Sequence, residues 1–264
     1  MKQVAIYCVN YHSYECLKNY LESVEKASLP VRCMMEISVF VADNSTPLSP
    51  VDYKPEHFTL STLPTGNNMG YFGAVGFAME QESPMPYDYV IISNVDILLD
   101  EDFFLKLNEL SHEQSTGWIA PQIYSQVEKR DRNPKIIQRY PRRKLQLLRT
   151  LFRFPLLYNL YTHTAYKSKK LASHQPGNIY AGHGSFIILT REYFKKCGII
   201  NYPVFLFCEE IYLGEQCRQH NMKVVYEPQL RVVDAEHAST GKFRRSKYCK
   251  YNYDAISYIL SRYY

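Results

Sequence analysis

The sequence predicts an α/β fold built on an open, mostly parallel sheet flanked by helices. Apolar runs of strand length alternate with stretches whose apolar residues recur at helical spacing, and polar or acidic residues gather where the strands end. The composition agrees: of 264 residues, 46% are hydrophobic and 22% charged, enough apolar material for one large α/β domain.

Residues 4–9 form a continuous apolar run of strand length. Residues 14–26 place Leu17, Leu21 and Val24 at helical spacing, with Ser13 as a candidate cap. A second strand, 37–42, ends at Asp43, Asn44 and Ser45. Strand, helix and strand at this spacing make a βαβ unit, which sets the strands parallel. A loop rich in Pro and Thr leads to residues 67–76, where Gly70, Gly73 and Gly76 open a helix. Glycines there let a ligand approach the backbone, and a helix N-terminus favours anions. The Rossmann fingerprint and the Walker lysine are both missing.

Residues 89–96 are an apolar strand that ends in Asp96. A buried strand tolerates an unpaired carboxylate poorly, so Asp96 is expected just beyond the strand's carboxyl end, facing a cation or a polar ligand. Asp100, Glu101 and Asp102 supply acids for the start of the next helix, 103–110, without it.

After Trp118–Pro121 the character changes. No acidic residue occurs from Arg132 to Gln175, while Arg139, Arg142, Arg143, Lys144, Arg149 and Arg153 interleave with leucines and phenylalanines. Such a segment is either an interfacial element for an anionic membrane surface or a solvated insertion whose apolar face packs on the domain. Regular α/β pattern then returns: strand 185–190, helix 191–197, an aromatic strand 204–210 ending in Glu209 and Glu210, strands 223–226 and 232–237, the last ending at His237, and a Tyr-rich helix 246–262.

The net charge of +5 is too small to argue for a nucleic-acid partner. Seven cysteines without C-x-x-C pairs indicate neither a disulfide framework nor a structural zinc site, and fit a reducing cytoplasm. With no leader and no apolar run of spanning length, the chain is expected to be cytoplasmic, with peripheral contact to the inner face of the plasma membrane as an option.

Asp96, the Glu209–Glu210 pair and His237 stand out as separated positions at strand ends. One carboxylate and one imidazole suit a divalent cation, and a second carboxylate is left for proton transfer. That combination suits attack by an alcohol on a sugar whose leaving group is a diphosphate.

These residues, with Val9–Tyr11, Val41–Ser45, Asn68–Ala74, Ser93–Asp96 and the block from Gly198 to Glu210, resemble the inverting family 2 glycosyltransferases of the GT-A fold, in particular the rhamnosyltransferase-like branch that builds cell-surface polysaccharides. The resemblance implies a single domain over 1–264, with a nucleotide-sugar-binding half (1–123), the basic insert (124–180) and an acceptor and catalytic half with the C-terminal helix (181–264). It implies a nucleotide-sugar donor and a saccharide or lipid-linked saccharide acceptor. Asn10, Asp43 and Asn44 would line the base and ribose pocket, and Asn68, Gly70 and Asn94 the nucleotide-sugar. Asp96 and His237 would hold the metal, Mg²⁺ or Mn²⁺, on the diphosphate. Glu210 would be the general base and Glu209 its neighbour that orients it or contacts the acceptor. The acidic pair is Glu-Glu where Glu-Asp is usual, and Tyr212 replaces an acid common two places on. That motivates the alternative of an inactive nucleotide-sugar-binding or membrane-associated assembly protein.

Overall fold

A computed structural model describes residues 1–164, 175–235 and 244–264. The first half runs β1 (Lys2–Asn10), α1 (Tyr14–Ser28), β2 (Met35–Asp43), β3 (Thr59–Pro64), α2 (Tyr71–Gln81), β4 (Tyr89–Asn94), β5 (Ile97–Leu99), α3 (Phe103–Glu109), β6 (Thr116–Ser125) and β7 (Arg130–Asp131). The second half runs α4 (Arg142–Arg153), α5 (Pro155–Thr164), β8 (Gly177–Ile179), β9 (Phe186–Thr190), α6 (Arg191–Cys197), α7 (Glu209–Gln219), β10 (Lys223–Asp234) and α8 (Arg245–Tyr263).

The sheet order is β3-β2-β1-β4-β9-β6-β10-β5, with β7 beside β6 and β8 beside β10. Strands β3, β2, β1 and β4 are parallel, as the βαβ spacing predicts. Strand β9 lies antiparallel between β4 and β6, so the sheet is mixed beyond its N-terminal half. Its central strands are apolar on both faces because helices cover both. On one face Leu17, Tyr20 and Leu21 of α1 and Phe103, Phe104 and Leu107 of α3 pack against Ile6, Ile91 and Ile188. On the other, Phe72 and Val75 of α2, Phe194 of α6, Leu213 of α7 and Ile256 and Ile259 of α8 pack against Tyr7, Ile92 and Leu189.

Several local expectations change. Residues 204–207 form bends rather than an aromatic strand, and Glu209 and Glu210 open α7. Phe207 and Cys208 have φ of 74° and 63°, a left-handed turn that no strand accommodates. The expected strands 223–226 and 232–237 merge as far as Asp234 into β10, whose pairing with β6 shifts register between Glu227 and Arg231. The Pro- and Thr-rich loop contains β3 at the sheet edge. Ser13 occupies the N-cap of α1 without a side-chain cap bond. His237 lies outside the described residues, as do Lys167, Lys169, Lys170 and Lys242.

The basic insert is anchored to the domain. Leu145 and Phe152 of α4 are buried, and Phe152 and Tyr158 meet Tyr248 of α8. Arg139 Nε donates to Glu215 Oε1 at 2.6 Å, Tyr180 Oη to the same oxygen at 2.7 Å, and Arg218 Nε to Oε2 at 2.8 Å. Burial alone would raise the Glu215 carboxyl, but these hydrogen bonds outweigh it and hold the group below its usual range. Arg139→Ala leaves this fully buried carboxylate short of a partner and is expected to cost about 2–4 kcal/mol. Urea unfolding checks this; in a double-mutant cycle with Glu215→Gln, the two losses should not add.

Candidate active site

The parallel strands end together at one edge of the sheet, with Asn10 opposite Asp43 and Val9 opposite Asn94. Asn10, Asp43 and Asn44 are buried there. Buried polar atoms must be bonded, and these are. Asp43 Oδ1 accepts from Asn10 Nδ2 at 3.2 Å and from the Ser45 N–H at 3.0 Å, while Oδ2 accepts from the Tyr14 hydroxyl at 2.9 Å. Asn44 Nδ2 donates to the Gly70 carbonyl at 2.9 Å, and its Oδ1 accepts from Thr65 Oγ1 at 2.9 Å and the Met69 N–H at 3.3 Å. Asn68 Oδ1 accepts the Gly70 N–H at 3.0 Å. The network ties the loops after β1, β2 and β3 into one wall of the edge.

Gly70 connects that wall to the second half of the chain. Its φ is +79°, and a Cβ there would fall 2.0 Å from the Phe205 carbonyl oxygen. The next residue, Tyr71, donates its N–H to the same carbonyl at 3.3 Å. Segment 204–208 therefore rests on the start of α2 and turns through Phe207 and Cys208 to aim the acidic pair. Glu209 is buried and its Oε1 accepts the Phe207 N–H at 2.9 Å. Burial, and next the charge of Glu210, push the Glu209 carboxyl up to about 8. Glu210 points elsewhere: Gly184 donates its N–H to Glu210 Oε1 at 3.4 Å. The adjacent Ser185 carbonyl accepts the Asn94 N–H at 2.9 Å, so the acidic pair and the end of β4 share one loop.

Asp96 lies beyond β4, in the turn to β5, where a strand-end ligand position was expected. Its carbonyl accepts the Ala235 N–H at 3.1 Å, which brings the end of β10 to Asp96 two positions before His237. Asp234 itself is paired with Arg132 at 2.7 Å. Among the described residues no group of three or more His, Cys, Asp or Glu side chains forms a metal cage. A hard carboxylate beside the end of β10 still suits a cation whose other ligands come partly from a bound diphosphate.

Sequence reading missed three contributors. The fully buried Tyr71 hydroxyl has no hydrogen-bond partner among the described residues; burial first, then Glu209, Tyr20, Asp96 and Cys8, drive its phenol well above the ordinary range. Tyr71 thus senses both Asp96 and Glu209. His183 is held neutral by burial, with Lys135, Arg132 and Arg130 adding to the effect, and its Nδ1 lies 2.9 Å from Ser185 Oγ. The Phe205 carbonyl, as a backbone group, leaves no side-chain signal in the sequence.

No protein-family model matches the chain. Over 238 residues it is 21% identical to the low-salt glycan biosynthesis hexosyltransferase Agl10 of Haloferax volcanii, covering 90% of this chain and 67% of that protein. Over 234 residues it is 28% identical to the N-acetylglucosaminyl-diphospho-decaprenol L-rhamnosyltransferase of Mycobacterium tuberculosis, covering 82% and 72%. Among solved structures, S. aureus TarS 1-349 in complex with UDP-GlcNAc aligns with a TM-score of 0.59 at 12% identity, over 92% of this chain and 62% of that one. The mannosyltransferase PcManGT of Pyrobaculum calidifontis, in complex with GDP-Man and Mn²⁺, aligns with a TM-score of 0.55 at 14% identity, over 90% and 58%. The fold is that of the GT-A glycosyltransferases. The resemblance to rhamnosyltransferase-like enzymes seen in the sequence holds. The chain spans about three-fifths of the length of those two GT-A structures.

In this GT-A chain the Gly70–Phe205 contact admits no side chain. Gly70→Ala is expected to destabilise the fold by about 2–4 kcal/mol, through left-handed strain and the backbone clash, read as a lowered urea midpoint. A second outcome follows from Glu209. Because its folded pKa is raised, the unfolded chain releases this proton from the ordinary carboxylate range upward while the folded chain keeps it to about pH 8. Stability therefore falls as pH rises across that window. Urea midpoints measured from roughly pH 5 to pH 9 should fall more steeply for the wild type than for Glu209→Gln; parallel curves would contradict the burial of this carboxyl.

Proposed function

We propose that the chain is an inverting, metal-assisted glycosyltransferase that moves a sugar from a nucleotide-sugar donor to a lipid-linked or growing saccharide acceptor in surface polysaccharide synthesis. The names of its relatives support glycosyl transfer in glycan assembly. The observation that carries the reading is that segments distant in sequence meet at one sheet edge: the Phe205 carbonyl ahead of the acidic pair rests on Gly70, Glu210 accepts the Gly184 N–H, and the adjacent Ser185 carbonyl accepts the Asn94 N–H at the end of the strand that leads to Asp96.

In this reading Asn10, Asp43 and Asn44 form the wall against the base and ribose, and Asn68, Gly70 and Asn94 run along the nucleotide-sugar. The bare Gly70 backbone lets the ligand come close. Asp96, with His237 from the segment after β10, would hold Mg²⁺ or Mn²⁺, and the cation supplies charge neutralisation for the departing diphosphate. Glu210 takes the proton from the acceptor hydroxyl as its oxygen bonds to the anomeric carbon, and the bond from that carbon to the diphosphate oxygen breaks. Attack opposite the leaving group inverts the anomeric centre. Glu209, buried and tied to the Phe207 N–H, fixes the turn that presents Glu210.

In the same proposal the chain is a single domain over 1–264, with a donor half (1–123), the insert (124–180) and an acceptor half (181–264). All seven cysteines are free, which suits a cytoplasmic enzyme. Among the described residues no helix is long and apolar enough to cross a membrane.

Thermal-shift screening of UDP-, dTDP- and GDP-sugars, with and without Mn²⁺, should find a metal-dependent stabilising donor. With that donor and a matched acceptor, Asp96→Ala and Glu210→Gln should each lower kcat by roughly 100-fold or more. Metal-dependent nucleotide binding with no turnover for any acceptor would instead favour an inactive binding protein.

A further inference from the structure

Part of the insert's apolar surface is exposed. Leu145 and Phe152 turn α4 towards α8, yet Leu147 is 57% exposed and Phe154 49% on another face of the same helix. The row continues on α5 with Leu156 at 85%, Leu157 at 49% and Leu160 at 61%. Leu147 and the C-cap residue Phe154 are seven positions apart on α4, and Leu156 and Leu160 are four apart on α5, so each helix presents exposed apolar side chains at helical spacing. A soluble surface scatters its exposed leucines; a contiguous stripe marks a contact surface.

The charge beside the stripe selects the partner. No acidic residue occurs between Arg132 and Gln175, and none from Arg244 to Tyr253 at the start of α8. Some of the cations are already committed: Arg142 donates to the Tyr264 carbonyl, Arg245 to Asn159 Oδ1, and Lys144 lies 3.5 Å above the Tyr140 ring. Arg143 and Arg153 are exposed at either end of α4, and among the described residues neither pairs with a carboxylate. An apolar stripe with a purely cationic flank is complementary to a surface that is oily within and anionic at its rim. A water-soluble protein partner would more often need both signs of charge.

We propose that the exposed face of α4 and α5 docks on an anionic lipid bilayer, the leucines and Phe154 entering the acyl boundary and Arg143 and Arg153 meeting lipid phosphates. The structure connects this face to the candidate active site. Phe152 and Tyr158 pack on Tyr248, and Tyr248 packs on Phe207, with ring centroids 6.0, 6.0 and 5.1 Å apart. Phe207 is in the turn that aims Glu209 and Glu210. A bilayer against α4 and α5 therefore lies a few aromatic rings from the acidic pair, a placement suited to an acceptor carried on a lipid. That last link rests on the glycosyl-transfer reading; the docking does not.

Co-sedimentation with vesicles of phosphatidylcholine alone, and of phosphatidylcholine mixed with phosphatidylglycerol, tests the docking without any activity assay. The wild-type chain should sediment with the anionic vesicles, less with the neutral ones, and less again as salt is raised. Arg143→Gln with Arg153→Gln should weaken binding roughly 10- to 30-fold, and Leu156→Glu with Leu160→Glu should abolish it, both with unchanged melting temperatures. No sedimentation of the wild type, or binding that neither salt nor the arginine changes reduce, overturns the proposal. So does sedimentation velocity showing a dimer that the leucine changes convert to monomer, since a second copy would then cover the stripe. Binding to vesicles by a chain that turns over no donor would leave the docking intact and remove only the enzymatic reading.

Discussion

The site depends on one close approach, the Gly70 backbone against the Phe205 carbonyl. On one side of that contact are the strand-end loops that Asp43 and Asn44 hold together through buried hydrogen bonds. On the other is the turn that carries the acidic pair into α7. Only a residue without Cβ, in a left-handed conformation, lets both sides meet. Without the contact, the strand-end edge and the acidic pair would be two separate features of a mixed sheet.

Electrostatics around that contact is uneven. Glu209 and Glu210 are adjacent, yet one is buried against its own turn and the other reaches the Gly184 N–H. Two carboxylates that close cannot both be ionised cheaply when one is desolvated, so burial assigns the proton to Glu209. Glu210 is the more accessible of the two. The buried Tyr71 hydroxyl feels the negative charge of both Glu209 and Asp96.

Much was legible from residue pattern because it rests on short-range physics. The runs at 4–9, 37–42 and 89–94 are strands, the helical spacings at 14–26 and 191–197 are helices, and the βαβ spacing makes the first strands parallel. Asp96 is beyond a strand end, as a lone carboxylate after an apolar run requires. The aromatic segment 204–207 misled because Val, Leu and Phe favour strands only where a neighbouring strand is available; here the left-handed Phe207 and Cys208 break the ladder. Strand β3 escaped notice because an edge strand, half exposed, shows no strong alternation. The insert was an open choice between packing and interface; Leu145 and Phe152 show that one face packs on the domain, while Leu156 and Leu160 are exposed.

By itself the sequence determined the α/β class, the strand-end positions of Asn10, Asp43 and Asp96, and a cationic, leucine-rich insert. Each of these follows from local periodicity and composition, which act within a few residues. The tertiary structure decided that β9 enters antiparallel between β4 and β6, that Gly70 meets Phe205, and that Glu209 is buried while Glu210 is not. Those outcomes come from contacts between segments distant along the chain. Such contacts depend on which surfaces can exclude water together, and no single segment encodes that choice.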